Sequence, residues 1–328
     1  MSDPQLAVIV ITPDNYQTVR QTMRHLRAQT AREQLEIVLV CPSRAQLAPD
    51  EETLRQFQGH RIVEFDVACS TAAARSAGVR AATAPVVAFA EEHSFPQPGW
   101  AAALIAAHRQ PCAGVGPAIG NANPRTLTSW ANLIIEYAPW LDPVPGGPVE
   151  HLPGHNSSYK RAGLLEYGDQ LEAMLDAESV LHWDLRARGQ QLLIEPAAKT
   201  SHFNFSRPLS SIPLRFNGGR LFAAARCRQW PWSRRLLYIV ASPLIPLVRL
   251  AKLIREMARP GRAARLPWRV LPLMLTGLII DGCGELVGYL CGPGDAMRKL
   301  TDMEFHRPRF LTTADRRAFE GVSAANPA

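Results

Sequence analysis

Glu91, Glu92 and His93 follow directly on an apolar run, Pro85–Ala90 (PVVAFA), that is built to be buried. Desolvating two carboxylates and an imidazole is costly, so this triplet belongs at the end of a strand, facing solvent or a ligand. Carboxylate oxygen and imidazole nitrogen suit Mn²⁺ or Mg²⁺, and such an ion suits a diphosphate. A solvated polar turn is the alternative. A second group of reactive side chains, Asp176, Glu178 and His182, opens the stretch Leu175–Gly189. Leu181 and Leu185 lie one turn apart and Gly189 is a natural C-cap, so the spacing predicts an amphipathic helix. A carboxylate in its first turn is held ionised by the helix dipole, whether it only caps the helix or acts as a base.

The surrounding pattern predicts the elements that carry these groups. Leu6–Ile11, Leu35–Val40, Arg61–Phe65, Pro85–Ala90, Ala113–Ile119 and Gln191–Glu195 read as strands. Between them, Val19, Met23 and Leu26 recur at helical spacing, Thr71–Ala82 is Ala-rich, and a further helix runs from about Gly99 to His108. Apolar strands alternating with helices imply an α/β fold, a mostly parallel sheet covered on both faces. Ligands of such sheets sit at the carboxyl ends of the strands, which singles out the loops after Ile11, Val40 and Ala90. The glycines of Gly114–Gly120 are spaced GxGxxxG, with Pro117 where a helix would begin. That excludes a dinucleotide fingerprint and reads better as a turn.

The 328 residues are 47% hydrophobic and 20% charged, which excludes disordered and collagen-like classes. Residues 1–206 carry 16 basic and 21 acidic side chains, and residues 207–328 carry 20 and 8, so the charge changes sign near residue 206. Cys41, Cys69, Cys112, Cys227, Cys283 and Cys291 are scattered without a CxxC pair, which predicts reduced thiols in a cytosolic compartment. Met1–Pro4 lacks the apolar core of a secretory signal.

Taken in order, the motifs resemble family 2 glycosyltransferases, inverting nucleotide-sugar enzymes of the GT-A fold, over roughly residues 5–206. Ile9–Tyr16 is similar to that family's first nucleotide loop, which implies donor contacts from Thr12, Pro13 and Asn15. Ala73–Ala82, containing Arg75, resembles its ARNxGxxxA helix, with Arg75 at the nucleotide or diphosphate. Val87–His93 falls where its strand and DxD metal motif belong, and Pro98-Gly99-Trp100 matches the usual continuation. The resemblance thus implies that Glu91 and His93 bind a divalent metal and that Glu91 and Glu92 face the donor. Two departures stand out: the metal motif reads Glu-Glu-His, and Cys41-Pro42-Ser43 replaces the acids that commonly read the nucleobase.

The acceptor half follows. Gly154-His155-Asn156-Ser157-Ser158-Tyr159-Lys160-Arg161 resembles the family's N-x-x-[FY]-[RK]-R segment under donor sugar and acceptor, which implies substrate roles for Asn156 and Tyr159. Leu175–Gly189 resembles its ED…L…R…G helix, with Glu178 at the catalytic carboxylate, Ala177 at the preceding acid and Asp176 as runner-up. His182, one turn on, would line the same cleft. His202 would be a third metal ligand, since many GT-A enzymes place a histidine there.

Between Arg207 and Arg269 there are 14 Lys/Arg and one acid, Glu256, around the apolar run Leu236–Val248. Charge flanking an apolar run fits a bilayer interface better than nucleic acid. The run's 13 residues fall short of the roughly 20 that a spanning helix needs. The second run, Val270–Ile280, stops at Asp281, and Glu285 precedes Leu286–Cys291, so in-plane or re-entrant helices on anionic lipid are expected, with a two-helix hairpin as the alternative. The expected organisation is a catalytic domain over 1–206, a membrane-associated segment over 207–297 and a polar tail over 298–328. The expected activity is transfer of a sugar from a nucleotide-diphosphate donor to a lipid-linked or glycan acceptor at the cytoplasmic membrane face. A catalytically degenerate, membrane-docked binding or scaffold protein is the alternative.

Overall fold

The computed structural model describes residues 3–66, 70–154, 156–176, 178–228 and 230–321, so Cys69, His155, Ala177 and the end of the expected tail lie outside the described residues. The chain forms two compact units, residues 1–122 with 140–202 and residues 123–139 with 203–328.

The first unit is a nine-stranded sheet of β1 (Leu6–Ile11), β2 (Leu35–Cys41), β3 (Gly59–Glu64), β4 (Val86–Ala90), β5 (Ser94–Pro96), β6 (Gly114–Asn121), β7 (Gly147–Val149), β8 (Ser158–Lys160) and β9 (Leu192–His202). The strand order is β3-β2-β1-β4-β8-β6-β9-β5, with β7 beside β9. The pairs β1–β2, β1–β4, β2–β3 and β6–β9 are parallel, whereas β8, β5 and β7 run antiparallel to their neighbours. The helices that frame the site are α1 (Tyr16–Arg27), α2 (Thr71–Ala81), α3 (Trp100–Ala107), α4 (Leu171–Asp176) and α5 (Glu178–Ala187).

The central strands are apolar throughout because both faces are covered. On one face, Val8 and Leu39 pack with Val19, Met23 and Leu26 of α1 and with Trp100 and Leu104 of α3. On the other, Ile9, Val38 and Val40 pack with Ala74 and Val79 of α2. The small side chains of α2 permit that approach: a Cβ at Gly78 would lie 2.6 Å from Ile9. Asn15 caps α1 by accepting from Gln17 N at 3.0 Å, and Ser70 caps α2 by accepting from Ala73 N at 3.0 Å.

One expectation is corrected in this unit. The glycine-rich stretch is strand β6, as expected over Ala113–Ile119, and not the turn that its glycine spacing suggested; its glycines admit close neighbours, since a Cβ at Gly116 would meet Pro153 at 2.7 Å and Ile194 at 2.9 Å. The helix expected over 175–189 is seen in α4 up to Asp176 and in α5 from Glu178 to Ala187, with Ala177 between them outside the described residues.

The second unit is helical: Leu127–Tyr137, then α6 (Ser211–Arg226), α7 (Trp232–Ala241), α8 (Ile245–Met257), α9 (Leu271–Cys291), α10 (Ala296–Phe305) and α11 (Thr313–Phe319). Asn132 joins the first of these helices to the later chain: it donates to Phe205 O at 3.0 Å and accepts from Arg215 Nη2 at 2.9 Å. Where a polar tail was expected after residue 297, the described part contributes core. Met303, Leu311 and Phe319 are buried, and Asp315 accepts from Asn123 Nδ2 at 3.3 Å. The spans Trp232–Met257 and Trp268–Cys291 are long and apolar enough to cross a membrane.

Candidate functional site

The site is built at the carboxyl end of β4. The strand pairs on one side with β1 and on the other with β8, so the chain leaves it at Ala90 with Glu91, Glu92 and His93 emerging beside the ends of both neighbours. Gln29, at the end of α1, holds the segment beyond: it donates to Gln97 O at 2.8 Å and accepts from Ala101 N at 2.9 Å. Thr22 donates to Glu91 O at 2.9 Å, fixing the backbone of the first acid.

His202 joins this group through sheet pairing. Residues 94–96 form β5, antiparallel to β9 with Ser94 opposite His202, so the histidine at the end of β9 returns beside His93. The two rings meet edge to face, centroids 4.8 Å apart, and both are buried. One ligand atom each from Glu91, His93 and His202 lies within 4.8 Å of the others. His93 Nδ1 is 3.1 Å from Glu92 Oε1, and its Nε2 is 3.0 Å from Glu91 Oε2. With Nδ1–H given to Glu92, Nε2 turns a lone pair towards Glu91, two acceptors that a cation would reconcile; a carboxylate on the far nitrogen is how metal-binding histidines are commonly oriented. A carboxylate and two imidazoles therefore fit a divalent ion, and the nitrogen ligands suit Mn²⁺ better than Mg²⁺.

Arg75 connects this corner to the helix beyond. It projects from α2 with its guanidinium over the Phe89 ring at 5.4 Å. Nη1 donates to Glu178 Oε1 at 2.8 Å, and Nη2 stands 3.9 Å from Glu91 Oε1. Glu178 lies in the first turn of α5, its side chain 21% exposed, against the backbone of Gly154. Any Cβ at 154 would run into that carboxylate. Asp176, by contrast, is exposed at the end of α4.

Beneath Glu178, Tyr159 and His182 are buried and bonded to each other, hydroxyl to Nε2, at 2.8 Å. Burial, with His151 nearby, pulls His182 down to about 4, so it is neutral at pH 7. Burial also raises the Tyr159 hydroxyl well above its ordinary range, and the charge of Glu178 adds to this. His182 is thus packed under the site rather than lining it.

Asn156 takes a positive φ of 62° and forms backbone bonds with Phe89 O at 2.7 Å; its Nδ2 donates to Ser94 Oγ. Its Oδ1 is buried with no hydrogen-bond partner among the described residues. Thr12, Pro13 and Asn15 form the turn after β1: Thr12 Oγ1 accepts from Asp14 N at 3.3 Å, and Pro13 O accepts from Gln46 at 3.0 Å. Cys41 closes β2 as a buried thiol. Residue types and spacing gave no sign of Ser94, Gln29 or the Gly154 contact, because each acts through a partner distant in sequence.

The sequence profile of glycosyl transferase family 2 matches residues 7–168. The fold is similar to that of the mannosyltransferase PcManGT from Pyrobaculum calidifontis, in complex with GDP-Man and Mn²⁺. The TM-score is 0.53 at 17% identity, over 87% of this chain and 88% of that one. S. aureus TarS residues 1–349, in complex with UDP, aligns at TM-score 0.44 and 14% identity, over 88% and 92% of the two chains. GalNAc-T7 with UDP, GalNAc and Mn²⁺ aligns at 0.47 and 16%, over 62% of this chain, which spans only 44% of that protein. No curated protein matches the chain in sequence.

Proposed function

This chain belongs to glycosyl transferase family 2 through residues 7–168, and on that premise we propose an inverting, metal-assisted sugar transfer from a nucleotide-diphosphate donor to an acceptor hydroxyl at the cytoplasmic membrane face. The observation that carries this reading is the convergence of Glu91, His93, His202, Arg75 and Glu178 at the end of β4.

In the proposed reaction Glu178 accepts the acceptor hydroxyl proton while that oxygen attacks the anomeric carbon and the bond to the donor phosphate breaks. Inversion follows from a single displacement. Arg75 turns from the carboxylates towards the diphosphate and meets its charge with a guanidinium fork. Glu91, His93 and His202 would hold the divalent ion, which supplies charge stabilisation for the departing diphosphate. Glu92 orients His93. The turn of Thr12, Pro13 and Asn15 contacts the nucleotide, and the unpartnered Oδ1 of Asn156 faces substrate. Tyr159 and His182 act from below, by holding the floor under Glu178. The two apolar spans and the basic charge around them support a lipid-linked or membrane-proximal glycan acceptor and an anionic lipid surface.

The test is turnover of a panel of nucleotide sugars with Mn²⁺, with the anomeric configuration of the product read by NMR. A product that retains the donor configuration overturns single displacement. Nucleotide binding without turnover, across donors and acceptors, would instead favour a degenerate binding protein.

A further inference from the structure

The helices α7 and α8 present one open apolar face. Trp232, Leu237, Val240, Leu244, Leu247 and Val248 are each more than half exposed, Val240 reaching 71%. Their opposite face is fastened inward. Arg235 donates to Tyr289 O, Tyr238 packs against Trp230 at 4.7 Å and Tyr289 at 5.8 Å, and Pro246 closes on Gly282. Arg249 reaches Asp281 and Glu285 of α9, each at 3.2 Å. A stripe this long, held outward by so many inward bonds, is a docking surface.

Its rim gives the chemistry of the partner. Arg228, Arg234, Lys252 and Arg255 are exposed around the stripe. Glu256, the one acid between Arg207 and Arg269, is engaged by Arg259 at 2.7 Å and Arg262 at 3.2 Å. Cations around an apolar stripe complement an anionic headgroup layer over an acyl layer.

The second apolar span is differently placed. α9 packs on α6 backbone to backbone: a Cβ at Gly219 would run into Asp281 O, one at Gly284 into Phe216 O, and one at Gly288 into Arg220 O. α6 carries Arg215, Asn217 and Arg220, so a bilayer crossing by α9 would draw these polar groups into hydrocarbon. Asp281 and Glu285, 4% and 2% exposed, share Arg249 as an ion-pair partner within the unit.

We infer that α7 and α8 lie in the plane of an anionic bilayer, with the Trp232–Val248 stripe sunk to the headgroup boundary, while α9 is an internal strut that does not span. This rests on the membrane-face reading and assigns its contact element. Flotation of the full chain tests it, with phosphatidylcholine vesicles with or without phosphatidylglycerol, at low and high salt. The wild type should float with the anionic vesicles, less so at high salt. L244E/V248E should weaken partitioning about tenfold or more, since each substitution removes an exposed apolar side chain that the bilayer would bury and adds a repelled charge. I279E, on the open side of α9, should leave it within about twofold; thermal melts establish that both variants are folded. Alkaline carbonate should release the wild type. Carbonate-resistant binding, or equal loss in I279E, overturns the in-plane assignment and favours a spanning hairpin. A wild type that ignores anionic vesicles at low salt overturns the membrane-face reading itself and leaves the stripe to a protein partner.

Discussion

Arg75 donates to Glu178 at 2.8 Å while its other terminal nitrogen stands 3.9 Å from Glu91, so one guanidinium links a carboxylate of helix α5 to one at the end of strand β4. The three residues are 16 or more positions apart in sequence. Their meeting places a cation between the proposed base and the proposed metal ligand, where an incoming diphosphate would compete for it.

Replacing that cation tests the link. Arg75→Met should weaken nucleoside-diphosphate binding about ten- to a hundredfold, as expected for a lost charge-assisted hydrogen bond of about 1.5–3 kcal/mol. Arg75→Lys keeps the charge without the fork and should fall between. Calorimetry with UDP and GDP reads this directly; unchanged affinity in Arg75→Met would remove Arg75 from the donor site.

For the base, Glu178→Gln preserves size and loses proton acceptance. Transfer should drop roughly 10²–10⁴-fold with donor affinity intact. Asp176→Asn, at an exposed position, should change little. The opposite pattern would move the base by two residues. Gly154→Ala should also depress transfer, about tenfold or more, because the new methyl occupies the space of the Glu178 carboxylate.

For the ion, Glu91→Ala and His202→Ala should each lower Mn²⁺ affinity by about tenfold or more, measured by electron paramagnetic resonance of the free ion without donor. Glu92→Gln should have a smaller effect, since it acts through the orientation of His93. Retained Mn²⁺ binding in His202→Ala would leave the proposed site with two ligands and defeat it.

Stability should depend on pH through two buried histidines. Burial, with Lys160 nearby, lowers His108 to about 4, and burial, with His151 nearby, does the same to His182. The ordinary value is 6.5, so between 6.5 and 4 the unfolded chain binds the extra protons. Their contribution is complete above about 6.5 and is lost as pH falls towards 4. The slope is up to about 1.4 kcal/mol per pH unit for each histidine. His108→Gln should flatten the profile of denaturant midpoint against pH, and an unaltered profile would count against a neutral buried His108.

Local sequence determined the elements and the strand end at which Glu91, Glu92 and His93 emerge. Runs such as Leu6–Ile11 and Val86–Ala90 are apolar on both faces, which only a covered strand tolerates, and polar residues directly after such a run must sit at its end. The position of Glu91 and His93 at a strand end was legible for that reason, and that of Glu178 in a helix through its spacing. What the glycines of β6 do was not: their spacing alone suggested a turn within the strand expected over Ala113–Ile119, whereas Tyr159, Pro153 and Ile194 press on them from other segments. Nor was the packing role of residues 298–319, whose scattered Met303, Leu311 and Phe319 look polar-flanked until α10 and α11 fold back on residues 203–214. His202 reaches His93 through the antiparallel register of β5 with β9, and Arg75 reaches Glu178 through the packing of α2 near the start of α5. Periodicity records which face of an element is buried; which charged groups then face one another depends on strand register and helix packing between distant segments, and those only the tertiary structure decided.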